Sequence, residues 1–244
     1  MTSVSTTATT QPRWSATGTK RGTVIAAVAG ILFAVLSLAR VPITGEVGLP
    51  TWEASTGEVV EFYQSLTFDT AFLVGMGMVT IGWLLLLVFI AKFSSIVGQA
   101  DGGSPWLGRL IVGLAVVNVA LTFPYLIAIS TGARLADTSG VGADSFLLLH
   151  SVVNGVIWFA LLTDALLWAT VGVAVLITGA FPKWLAAAFL GTAVFDVVAF
   201  FGPFELWNVV GALVYLWTLL LAVVMLIRAD RSSIEIAQPD LADR

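Results

Sequence analysis

Long stretches with few charged side chains alternate with short polar segments along this chain. Six apolar runs stand out, at about residues 22–40, 70–91, 107–129, 146–178, 184–201 and 204–227. Each outlasts a typical strand and lacks the every-second-residue alternation of a half-buried sheet, so each predicts a helix. Each comes close to or exceeds the roughly 20 residues that a helix needs to cross a bilayer, where only helices and closed barrels satisfy the backbone. The pattern predicts an all-α polytopic membrane bundle of six transmembrane helices. A Thr- and Ser-rich tail over 1–19 reads as disordered, residues 20–228 as the transmembrane domain, and 229–244 as a polar tail.

The basic residues orient the bundle. With the N-terminus in the cytoplasm, the cytoplasmic segments hold Arg13, Lys20, Arg21, Lys92, Arg109, Lys183, Arg228, Arg231 and Arg244, and the opposite side only Arg40 and Arg134. Such an excess marks the cytoplasmic face, so both termini are expected in the cytoplasm. Lys20-Arg21, the apolar run and Ser37-Leu38-Ala39 also fit a signal peptide; the length of the run favours a retained first span. The largest outer loop, Pro42–Phe68, carries Glu46, Glu53, Glu58 and Glu61. Its acidity fits either a solvated lid or a cation-attracting vestibule. Ser55 followed by Glu58 resembles a capping box and predicts a short outer helix from about Thr56. Trp52 and Tyr63 suit the headgroup region.

Two aspartates stand alone as acids deep within apolar runs, Asp164 and Asp196. An ionisable group in hydrocarbon is unfavourable by a few kcal/mol or more, which makes each a functional candidate. The link around Gly179–Lys183 is short, and the aspartates lie 16 residues either side of residue 180, so an antiparallel hairpin sets them at nearly one depth. At about 1.5 Å per residue, Asp196 stands about 20 Å above Lys183, and Asp164 stands at a similar height above Thr178. Asn118 is slightly lower, and the Gly202-Pro203 turn sets Asn208 opposite Asp196. These four form a candidate polar belt near the bilayer centre. His150, Asn154 and Asp164 share a helical stripe within 40° either side of His150, with Asp69 and Glu205 at its expected outer mouth. No lysine or arginine lies deep in a span to pair with either aspartate; two carboxyls meeting there would titrate as one unit, an arrangement suited to proton relay or cation exchange. The bland alternatives are interhelical hydrogen bonds for the asparagines, an interfacial or capping role for His150, and neutral bonded carboxyls for the aspartates. Pro124 frees a carbonyl near Ala120, and the kink beside Asn118 and Tyr125 is a candidate cavity wall. Gly75, Gly77 and Gly82 read as helix-packing positions.

Composition agrees with the membrane reading and narrows the chemistry. The chain of 244 residues is 58% hydrophobic and 11% charged, against about 25% charged in soluble domains. It has no cysteine, which excludes disulfides and thiolate chemistry, and a single histidine, which excludes a multi-histidine metal site. No cofactor, metal or nucleic-acid partner is expected; the bilayer is the expected partner, with a homodimer or other membrane subunits as further candidates. The aspartyl-protease Gly-x-Gly-Asp, the rhomboid Gly-x-Ser-x-Gly, phosphate-binding glycine loops and a retinal-type lysine in the last run are all missing, so no motif supports an enzyme.

Three stretches carry a resemblance: Phe68-Asp69-Thr70 at the second run, Leu149-His150 at the fourth, and Gly179-Ala180-Phe181-Pro182-Lys183-Trp184-Leu185 before the run containing Asp196. Across about residues 22–228 the chain resembles an uncharacterised bacterial six-helix integral-membrane family, a domain of unknown function. The resemblance implies the six-helix fold and no particular activity. The leading functional expectation is a protein of the bacterial inner (plasma) membrane that handles protons, cations or a small solute through a polar midplane pocket. The alternatives are a non-catalytic subunit or scaffold whose polar residues lock helices together, and a lipid- or envelope-linked accessory enzyme.

Overall fold

The computed structural model describes residues 18–44, 49–100, 106–138, 140–202 and 206–237, the side chains at 18, 19, 41–44, 207, 208 and 230–237 excepted. Among these residues seven helices follow in order: α1 (Gly18–Thr44), α2 (Thr56–Ser65), α3 (Thr70–Ala100), α4 (Trp106–Ala136), α5 (Ala143–Thr178), α6 (Lys183–Phe201) and α7 (Leu206–Ala237). Among the described residues there is no strand. All but α2 are long and apolar enough to cross a membrane. Their outward faces show bulky side chains such as Leu73, Ile81, Ile127, Phe159 and Val194, a surface that water would not tolerate but lipid accepts.

Each spanning helix packs on the spanning helices next to it in the chain, and α7 returns against α1. The six spans therefore close a ring in chain order. The α5–α6 seam is the most extensive. Gly179 ends α5 with φ 60°, a left-handed conformation that glycine adopts without strain, and its N–H bonds Val175 O at 3.1 Å. Pro182 then caps α6. Gly172 lets the rods touch: a Cβ there would lie 2.8 Å from Leu190 Cγ. Trp168 and Phe189 stack beside it at 5.4 Å between ring centres. The expected hairpin is thus formed, with its two helices in close contact.

The basic groups gather at one end. Lys92 Nζ on α3 stands beside Gly22 on α1, and Arg228 on α7 donates to Ala180 O in the α5–α6 turn and covers the Phe181 ring. This end is called inner here, following the charge bias. At the outer end α2 lies against α4 and α5. Its capping box is formed as the spacing predicts: Glu58 N donates to Ser55 Oγ at 3.4 Å and Ser55 N to Glu58 Oε2 at 2.7 Å.

The helices outrun the apolar runs. α3 continues to Ala100, α4 covers 106–136, and α7 continues ten residues past Ile227. Hydropathy marks only the part in hydrocarbon, whereas backbone hydrogen bonding continues into water. A helix of 31 residues is about 46 Å long, well beyond about 30 Å of hydrocarbon. Gly18 and Thr19, read from sequence as tail, open α1; residues 1–17 and 238–244 lie outside the described residues. Of the three glycines, Gly82 packs against Phe33 and Ser37 and Gly75 is buried, but Gly77 faces open space.

Candidate functional site

Asp164 and Asn118 meet across the α4–α5 seam. Asn118 Nδ2 donates to Asp164 Oδ1 at 2.8 Å and reaches Thr163 Oγ1 at 3.3 Å. Asn118 is buried, while Asp164 keeps part of its surface because it lines a cavity of about 100 Å3 inside the ring. That space holds on the order of three waters at about 30 Å3 each. Ser37, Trp83, Asn118 and Tyr215 surround Asp164 at the inner floor. Towards the outside the wall passes Thr122 and Tyr125 on α4 to Arg40 on α1. On α5 the lining extends from Asp164 out to Val156, eight positions or about 12 Å. All spans except α6 contribute to it.

Asp196 behaves differently. It is fully buried, at 0% exposure, and neither carboxyl oxygen has a hydrogen-bond partner among the described residues. Its helix, α6, stays outside the lining, so the expected shared cavity holds for Asp164 alone. Trp168, one turn inward of Asp164, brings its indole N–H towards that carboxylate without closing an aligned hydrogen bond.

The belt of four is therefore reduced. Asn118 and Asp164 are joined, Asp196 lies behind them, and the Asn208 side chain and Glu205 lie outside the described residues. The α5 stripe is divided as well. Asn154 Nδ2 lies 2.9 Å from His150 Nε2, which also faces Thr51 O at 3.2 Å. A neutral ring nitrogen cannot both donate to a carbonyl and accept from an amide. With Nε2–H donating to Thr51 O, the Asn154 amide is held by Nδ2 donating to His150 O at 3.1 Å rather than by the ring. His150 and Asn154 thus tie the outer segment to α5 and take no part in the cavity wall. Asp69, at the outer start of α3, is exposed and caps that helix, accepting from Phe72 N at 2.9 Å, and is not part of the cavity lining. Tyr63 does not sit among headgroups either. It is fully buried, stacked on Phe146 at 5.6 Å and pressed into the space that Gly132 leaves on α4. Burial pushes its hydroxyl pKa up, and the neighbouring Tyr125 on the cavity rim adds to the shift.

Pro124 turns to the outside while Leu121, Thr122 and Tyr125, on the other faces of the same turns, reach the cavity. Arg40 is the group that sequence reasoning missed. It ends the first span and was placed on the outer surface, yet it shares a cavity with Asp164. Comparison with known family models, with curated proteins and with solved structures finds no match to this chain.

Proposed function

We propose that this chain is a multi-pass protein of the bacterial plasma membrane that takes a small cation-bearing solute into its central cavity, with Asp164 as the binding carboxyl and a proton as the alternative occupant. One observation carries the reading: a carboxyl group stands on the wall of a cavity of about 100 Å3 inside a ring of spanning helices, held from one side by Asn118. A carboxylate charge left uncompensated in such a place is unfavourable by several kcal/mol, so a cation or a proton accompanies it. Asp196, buried with no hydrogen-bond partner among the described residues, supplies a second carboxyl outside the cavity lining. Solute uptake into liposomes containing the purified protein tests this. Asp164→Asn is expected to lower uptake at least tenfold while the protein still melts cooperatively; unchanged uptake overturns the reading.

A second reading, a helix-locking scaffold, draws on the Asn118–Asp164 bond between α4 and α5. The unbonded oxygens of Asp196 weigh against it, because a locking role requires each carboxyl to be bonded to a neighbour.

A further inference from the structure

The cavity carries opposite charges at its two ends, and from this we infer that its ligand is a small zwitterion, its ammonium group on Asp164 and its carboxylate on Arg40. The inference rests on the function proposed above and narrows it to a substrate class. α1 runs outward and α5 runs inward, so Arg40 enters the cavity from its outer end and Asp164 from its inner end. On α5 the lining runs about 12 Å from Val156 to Asp164. Asn118, not Arg40, is the hydrogen-bond partner of Asp164, so the aspartate is not taken up by an ion pair across the space. The guanidinium carries five N–H donors in a planar fork, enough to keep a structural partner and still engage a carboxylate.

Neither half of a zwitterion suits the cavity alone. A plain cation makes no use of the Arg40 guanidinium, and a plain anion makes no use of the Asp164 carboxylate. A zwitterion offers each end its complement and enters with no net charge, which removes the penalty of carrying an ion into a low-dielectric space. The walls add to this. Trp83, Tyr125 and Tyr215 border the cavity, and aromatic faces attract ammonium groups, more so when they are methylated. The volume of about 100 Å3 suits a small amino acid or a methylated glycine.

The test uses the full chain in nanodiscs, with titration calorimetry of glycine, alanine and glycine betaine, and of tetramethylammonium and acetate as the two halves. At least one zwitterion is expected to bind more tightly than either half. Arg40→Gln is expected to weaken that zwitterion about tenfold or more, the scale of a hydrogen bond to a charged group, and to leave tetramethylammonium unchanged. Arg40→Lys, which keeps the charge, is expected to restore part of the loss, and thermal melting checks that each variant is folded. Asp164→Asn is expected to weaken both ligands. If tetramethylammonium binds as tightly as every zwitterion and Arg40→Gln alters neither, the zwitterion assignment falls and the cation site stands. If no zwitterion binds, the assignment falls as well. If Asp164→Asn changes nothing, the cavity function falls with it.

Discussion

Tyr63 shows how a residue's setting overrides its type. An aromatic ring with a polar tip in an outer loop reads as a headgroup anchor, yet the ring is fully buried and its hydroxyl has no partner. Tyr63→Phe removes an unsatisfied group and is expected to leave stability unchanged or raise it by about 1 kcal/mol. Tyr63→Ala is expected to lose about 3–5 kcal/mol; thermal unfolding in detergent separates the two. Burial raises the phenol pKa above its ordinary value. Its contribution to stability is therefore fully present below about pH 10, the unfolded value, and is lost as pH rises towards the folded one. An alkaline stability titration in which Tyr63→Phe is less sensitive than the wild type bears this out; identical titrations contradict it. The Ser55–Glu58 box was legible because it needs only a spacing of three. The role of Arg40 was not. Its position says helix end, and only the packing of α1 between α3 and α7 turns it towards Asp164.

The hairpin and the outer cap carry the site at the scale of elements. The α5–α6 reversal was readable from a short link with glycine and proline, and α2 from its cap. The boundaries of the long helices were less readable, because α3, α4 and α7 continue past the hydrocarbon on residues that no longer look apolar. Where α2 docks could not be read at all, because Gly132, nearly 70 positions away, supplies the space for Tyr63. A Cβ at 132 would fall 2.2 Å from that ring. Gly132→Val is expected to displace α2 and to speed proteolysis of the 49–68 segment from the outer side at least severalfold. An unchanged digestion rate shows that α2 is held without this contact. Gly132→Val also separates cap from cavity, since Asp164 and Asn118 lie elsewhere.

Ring closure belongs to the whole molecule. Six spans and their orientation follow from hydropathy and charge, but nothing in a one-dimensional pattern says that α7 returns to α1 or that α6 is left out of the cavity. That arrangement separates two similar aspartates into one that lines the cavity and one that is sealed. The lack of native cysteine lets the separation be measured directly. Single-cysteine variants at Asp164, Asp196 and the outward-facing Ile127 can be treated in intact cells with a small, membrane-impermeant thiol reagent, which reacts only where a thiolate meets water. The expected result is labelling of Asp164→Cys from the outer side, with no labelling of Asp196→Cys or Ile127→Cys. An inert Asp164→Cys beside a labelled Asp196→Cys would contradict the cavity and everything assigned to it.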